Sequence, residues 1–143
     1  MGRIVTAIAL SVVLAACGRA GLTGQRVPLA IDDSVATFGQ SCVLEHEVAD
    51  VTTDANGSLV FDDGTASLNL VWPKGFTAWR TGGLTEVDDA NGKAVLTSGN
   101  RYSICPAGIG QTCEPYGGAT GDECWLVGGV RPCPGCVLGF DLD

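Results

Sequence analysis

The 143-residue sequence has few basic residues, since eight Lys and Arg stand against sixteen Asp and Glu, for a formal net charge of −8. An acidic chain of this kind lacks the positive charge with which proteins bind nucleic acids or anionic lipid surfaces. We therefore expect no nucleic-acid partner and no electrostatic attachment to a membrane.

Common enzyme motifs are also absent, because the sequence contains no nucleophile elbow, no P-loop and no HExxH motif. The only histidine, His46, has no identifiable Ser or Cys nucleophile beside it, which favours a solvated or edge-strand position over catalysis or metal binding. Asp62-Asp63-Gly64 and Asp88-Asp89-Ala90-Asn91-Gly92 resemble fragments of a calcium loop, but hairpin turns explain both. We expect no catalytic residue, no metal site and no cofactor.

Long apolar runs are missing except at the N-terminus. Ile4 to Ala16 carries no charge, and its length is typical of a signal-peptide core and too short for a membrane-spanning helix. It leads into Leu14-Ala15-Ala16-Cys17, which resembles the lipobox of bacterial lipoproteins. The resemblance implies a signal peptide over residues 1–16 and a lipid on Cys17. The alternatives are ordinary secretory cleavage or a mature helix with a buried Cys.

The location follows from that resemblance. Acyl chains supply about 0.8 kcal/mol per buried CH₂, so the lipid would hold the protein at the extracytoplasmic face of a membrane in the cell envelope. Residues 17–34, which contain Gly and Pro without any hydrophobic period, are expected to form a lipidated tether.

Runs of good helix formers are absent after the signal segment, whereas Gly occurs 21 times. Residues 35–104 show six or seven short apolar runs separated by turn signals, among them Asp63-Gly64 and Asn91-Gly92. This pattern predicts a mainly β fold, namely a small antiparallel barrel or a sandwich.

Residues 70–105 are also similar to small β domains of uncharacterised exported proteins of Gram-positive bacteria. The similarity rests on the strand end "VWPKG", the hairpin "VDDANGKAV" and the segment "GNRY". It implies an OB-like small barrel and implies no activity.

Seven Cys are present, five of them in residues 105–143, which are predicted to form a loop-dominated, disulfide-rich extension packed on the β domain. If Cys17 carries lipid, six Cys remain to form disulfides: Cys42, Cys105, Cys113, Cys124, Cys133 and Cys136. Because the extension alone holds an odd number, Cys42 is expected to bond to one of its Cys. Cys105 is the attractive partner, although six Cys allow 15 connectivities.

The segment Cys133-Pro134-Gly135-Cys136 has three interpretations. A redox pair normally opens a helix whose N-terminus lowers the thiol pKa, and the residues after Cys136 are too few to build one. A zinc site would need Cys113, Cys124, Cys133 and Cys136 as thiolates in an oxidising compartment. A structural disulfide is therefore favoured.

The sequence thus predicts a lipid-anchored protein of the cell envelope that acts as a non-catalytic binding or structural module. An envelope thiol-redox or metal-binding protein is the alternative. A protein or saccharide ligand would need exposed aromatic rings, for which Trp79, Trp125 and Tyr116 are weak candidates. The alternation of Trp72 and Trp79 with polar residues favours the core for both, which leaves Trp125 as the most exposed.

Overall fold

The computed structural model describes residues 24–33, 38–39, 46–116 and 123–141, with the backbone alone at residues 108–112, 114, 140 and 141. The predicted signal peptide, the lipidation site Cys17 and the disulfide candidate Cys42 lie outside these residues.

β-strands dominate the described residues, which contain no α-helix, so the prediction of a mainly β fold is confirmed. One short 3-10 helix, Glu114–Tyr116, lies between the ninth and tenth strands. The strands are β1 (Gln25–Val27), β2 (Ala30–Asp32), β3 (His46–Thr53), β4 (Leu59–Asp62), β5 (Ser67–Pro73), β6 (Thr77–Thr81), β7 (Leu84–Asp88), β8 (Ala94–Thr97), β9 (Arg101–Thr112), β10 (Glu123–Pro132) and β11 (Gly139–Asp141).

The larger sheet closes on itself. β3 pairs antiparallel with β4 and with β9, β4 pairs with β5, and β9 pairs with β10. β10 then returns to β5 as a parallel neighbour, with Trp125 opposite Leu70. We call this circuit of five strands the barrel, although its β10–β5 pair is parallel and it is therefore not the all-antiparallel barrel that the sequence predicted. β2 extends the sheet along β5, and β11 extends it along β3.

The smaller sheet is antiparallel in the order β1-β6-β7-β8. Its inner face carries Val27, Ala78, Val87 and Leu96, which join the hydrophobic core of the barrel. Trp72 lies within this core at 1% exposure, with ring centroids 6.1 Å from Phe61 and 5.7 Å from Phe76. The two sheets therefore share one core, and the smaller sheet turns its other face outward.

Two turns fold as their sequences predict. Gly64, between β4 and β5, and Gly92, between β7 and β8, have φ values of +89° and +76°, which glycine adopts without steric cost. In the first turn the Asp63 carboxylate accepts hydrogen bonds from the backbone N–H groups of Thr65 and Ala66, each at 2.7 Å. Residues within each turn therefore account for the conformation of the turn.

The segment after Cys105 was predicted to consist mainly of loops, but much of it up to residue 132 forms β-strands. β9 continues to Thr112, and β10 pairs with it along most of its length, with several register shifts. At Gly128 an added Cβ would lie 3.1 Å from the backbone nitrogen of Ala107, so glycine permits the two strands to approach closely. Glycines such as Gly128, which obscure the alternation of apolar residues in the sequence, therefore lie within barrel strands.

The predicted tether differs in a similar way. Within residues 24–33, β1 pairs with β6 and β2 pairs in parallel with β5. These strands have three residues each, too few for a period to be visible in the sequence. The body of the protein therefore begins well before residue 35.

Candidate ligand-binding face

The outward side of the smaller sheet carries a row of chemically different side chains. Trp79 on β6 lies opposite Arg26 of β1 on one side and Glu86 of β7 on the other. Glu86 in turn lies opposite Thr97 of β8. Because directly opposed residues on paired strands share one face, a guanidinium, an indole, a carboxylate and a hydroxyl follow one another across the four strands. We call this row, together with its neighbours Thr81 and Leu84, the outer face.

Trp79 is exposed at 39%, so the expectation that it lies in the core is wrong. A strand with alternating side chains does not reveal from its sequence which set faces inward, and here Ala78 is the buried neighbour at 1%. The indole Nε1 donates a 3.2 Å hydrogen bond to Thr77 Oγ1. This bond orients the ring, and Leu84, 54% exposed, extends the apolar area beside it.

A shallow groove of about 250 Å³ follows this face. Its lining combines the exposed ring with hydroxyl and carboxylate groups: Trp79, Thr81, Leu84, Glu86, Asp88 and Thr97. A concave surface that places an aromatic ring among a few polar groups has the composition of small-ligand sites.

The other two aromatic candidates lie elsewhere. Trp125, on β10, is partly buried against the common core, so it is not the most exposed tryptophan. Tyr116 donates a 2.6 Å hydrogen bond from its hydroxyl to Asp32 Oδ2 on β2, and this bond raises the pKa of Tyr116 above its usual value. The three predicted candidates therefore do not form one site.

A second concavity, of about 260 Å³, opens at β5 between β4 and β2. Leu68, Leu70 and Trp72 line it from the barrel interior, while Tyr116 lines it from outside. Asn69, also in its lining, donates from Nδ2 to the backbone oxygen of Glu123 at 3.3 Å.

His46 and Glu47 begin β3 and are both buried, at 6% and 5% exposure. The expected solvated or edge position of His46 is therefore wrong, because β11 pairs with this end of β3 and places Asp141 opposite His46. Burial raises the pKa of Glu47 to about 7, with further contributions from its hydrogen bond to Asp63 and from the charge of Asp63.

The cysteines of the described residues are disulfide-bonded. Cys113 pairs with Cys124 at a Cα–Cα distance of 5.1 Å, and Cys133 pairs with Cys136 at 5.5 Å. Cys105, 4% exposed, is also disulfide-bonded. Disulfides of this kind form in an oxidising environment outside the cytoplasm, which is where the protein folds.

Arg101 joins the Cys133–Cys136 loop to the barrel. Its Nε and Nη2 donate to the two carboxylate oxygens of Asp50 at 2.7 and 2.9 Å. Its Nη1 donates to the backbone oxygen of Cys136 at 2.8 Å, and its own backbone oxygen accepts from Cys133 N at 3.0 Å. The Asp50 carboxyl therefore has a lowered pKa, chiefly because of the hydrogen bonds from Arg101.

No protein-family model, no curated protein and no solved structure matches the chain. Within the part of the chain that the structure describes, no helix has the length and apolar character needed to cross a membrane. The same residues contain no group of three or more His, Cys, Asp or Glu side chains placed to hold a metal ion.

Arg26 and Glu86 are absent from the residues that the sequence predicted for a site. Arg26 falls in the segment predicted to be a tether, and Glu86 is one of many acidic residues in a hairpin. Arg26 lies beside Trp79 because β1 pairs with β6, and Glu86 lies beside it because β7 pairs with β6. The register between strands that are distant in sequence cannot be predicted from a local pattern.

Proposed function

We propose that this chain is a lipid-anchored protein of the cell envelope that binds a saccharide on its outer face without transforming it. The lipid anchor is supported by Leu14-Ala15-Ala16-Cys17 and by the disulfides, which require an oxidising compartment. The ligand class is supported by the side chains around Trp79.

The observation that carries the ligand proposal is the placement of exposed Trp79 between Arg26 and Glu86 on a four-stranded sheet. A sugar ring has an apolar C–H face that can stack on an indole, while its hydroxyls bond to charged and hydroxyl groups at the ring edge. Arg26 supplies donors, Glu86 supplies acceptors, and the hydroxyl of Thr97 supplies both.

The geometry also suits a ligand with repeated units. The row runs from one outermost strand of the smaller sheet to the other, β1 to β8, and Thr81 and Leu84 continue the surface beside Trp79. An oligosaccharide can lie along such a surface with one ring on the indole, whereas an enclosed pocket would accept only its end. A peptide rich in Lys or Arg is the competing occupant, because Glu86 and the indole both attract cations.

The ligand proposal is tested by measuring the binding of the mature protein in detergent to two sets of probes. One set contains soluble neutral, acidic and amino-sugar oligosaccharides, and the other contains Lys- and Arg-rich peptides. We expect one class of saccharide to bind, and Trp79→Ala to weaken it about tenfold or more, about 1.4 kcal/mol. Val137→Ala, at a residue that is 83% exposed outside the outer face, is the matched control and should bind as the native protein does.

Failure of every saccharide to bind, or equal affinity of the native protein and Trp79→Ala, would overturn the saccharide proposal. Binding of a cationic peptide that is lost in Glu86→Gln would replace it with a peptide site. The anchor has a separate test, the intact mass of protein extracted from membranes, which should begin at Cys17 and include the mass of the acyl chains. Cys17→Ser should remove that mass.

A further inference from the structure

We propose that Cys133–Cys136 is a redox-active disulfide that accepts two electrons from a dithiol reductant, whereas Cys113–Cys124 is a permanent structural bond. This inference does not depend on saccharide binding at Trp79, which lies on the other sheet. It rests on the different surroundings of the two bonds and on the position of Arg101.

The two disulfides differ in access. Cys113 and Cys124 are 2% and 3% exposed and belong to a small apolar cluster with Val71 and Leu126. Cys133 and Cys136 are only partly buried, and the two residues between them, Pro134 and Gly135, are exposed. Since thiol–disulfide exchange needs a thiolate to reach a sulfur atom, only the second bond is open to a reductant.

The loop around Cys133 and Cys136 is held by bonds that do not involve sulfur. Cys136 N donates to Cys133 O at 3.1 Å, which closes the turn, and Arg101 bonds to the backbone of both cysteines at 3.0 and 2.8 Å. Reduction leaves these hydrogen bonds in place, so the two thiols stay close together. A pair that remains close after reduction can be oxidised again without refolding of the loop.

Arg101 supplies the positive charge that redox pairs otherwise obtain from a helix N-terminus. Its guanidinium contacts the backbone oxygen of Cys136, where it attracts an incoming thiolate and stabilises the thiolate that leaves. Asp50 partly neutralises this charge through its two contacts with the same guanidinium. A groove of about 460 Å³ lies beside the loop and is lined in part by Asn100, Arg101 and Pro134, the residue that follows Cys133.

The exchange proceeds in two balanced steps. A thiolate of the dithiol attacks one sulfur of Cys133–Cys136, forms a mixed disulfide, and releases the other cysteine as a thiolate. The second thiol of the reductant then attacks the reductant sulfur that is bonded to the cysteine in the mixed disulfide, and this cysteine leaves as a thiolate. The reductant leaves as a disulfide, and the protein gains two electrons and two protons.

The test uses dithiothreitol as the dithiol and the native full chain. The protein is exposed to it for increasing times, the free thiols are alkylated, and the labelled cysteines are identified by peptide mass. We expect Cys133 and Cys136 to be labelled about tenfold or more faster than Cys113 and Cys124, and to close again when the dithiothreitol is removed and oxidised glutathione is added. Labelling of both pairs at the same rate, or of Cys113 and Cys124 first, would overturn the proposal.

Two variants with opposite expectations test the role of Arg101 as a positioning residue. Arg101→Gln removes the charge and should slow the labelling of Cys133 and Cys136 several-fold, whereas Asp50→Asn exposes the charge and should accelerate it. A purely structural role would loosen the loop in both variants and accelerate both. Rates that change in the same direction in the two variants would therefore refute the charge effect.

Discussion

Glu47 on β3 donates a hydrogen bond to the carboxylate of Asp63 in the turn between β4 and β5, and Glu47 is 5% exposed. Of the two carboxyl groups, Glu47 holds its proton more tightly and Asp63 loses its proton more readily. Burial, the hydrogen bond and the charge of Asp63 raise the pKa of Glu47 to about 7. Burial of Asp63 acts to raise its pKa as well, but hydrogen bonds from Ala66, Thr65 and Glu47 outweigh it, so its pKa is lowered.

This pair predicts that the protein loses stability as the pH rises from about 4.5 to about 7. Over that range the folded protein binds the Glu47 proton more tightly than the unfolded chain does, whose carboxyl has the ordinary pKa of 4.5. The stabilisation is complete below pH 4.5 and lost above 7, which amounts to about 3 kcal/mol at 1.36 kcal/mol per pKa unit. Asp63 acts in the opposite sense, but only below its ordinary pKa of 3.8.

Urea denaturation of the native protein and of Glu47→Gln at pH 4.5, 6 and 7.5 measures this effect. The native free energy of unfolding should fall across the series, and the variant should show a flatter dependence because Gln keeps a donor without a titrating proton. If the two proteins have the same pH dependence, Glu47 is ionised in the folded state over the whole range.

The same substitution should destabilise the protein strongly at Trp72 and weakly at Trp79. Trp72 is 1% exposed and packed between Phe61 and Phe76, so Trp72→Ala should lower the free energy of unfolding by about 3–5 kcal/mol. Trp79→Ala removes a ring that is 39% exposed and has cross-strand neighbours on both sides, so it should cost less, about 1 kcal/mol. Thermal and urea unfolding of both variants make the comparison. A large loss of stability in Trp79→Ala would show that the ring has a structural role.

The partner of Cys105 in its disulfide bond can be predicted by elimination. Cys105 is disulfide-bonded, and the other four cysteines of the described residues pair among themselves. Since Cys17 is proposed to carry lipid, we expect Cys42 to be the partner. Peptide mapping without reductant should yield a fragment that joins Cys42 to Cys105. A fragment that joins Cys17 to Cys105 would contradict the lipid proposal as well.

Local sequence determined the hairpins but not the order of the strands. The turn at Gly92 could be predicted because glycine adopts a positive φ without steric cost. The strand from Ala94 to Thr97 could be predicted because its side chains alternate with a period of two residues. β10 could not be predicted, since its Gly and Cys residues have no period and its place is set by pairing with β9 and β5. Closure of the barrel depends on those distant contacts.

The candidate site was predictable in its residue types but not in its geometry. The sequence identifies Trp79 as a ring that can contact a ligand, but the alternation along its strand is equally compatible with burial. Its exposure follows from which side of the smaller sheet packs on the barrel, and its polar flanks follow from the register of β1 and β7 on β6. Both depend on tertiary packing.

The most direct measurement of saccharide binding is the response of the three tryptophan indole N–H groups in the NMR spectrum of ¹⁵N-labelled protein. Each signal is assigned with a Trp→Phe variant, and the best saccharide from the binding panel is then titrated. The proposed function predicts that the Trp79 signal shifts in a saturable way while that of Trp72, buried in the core, stays in place. A saccharide that binds without shifting the Trp79 signal would contradict the proposal that the outer face is the binding site.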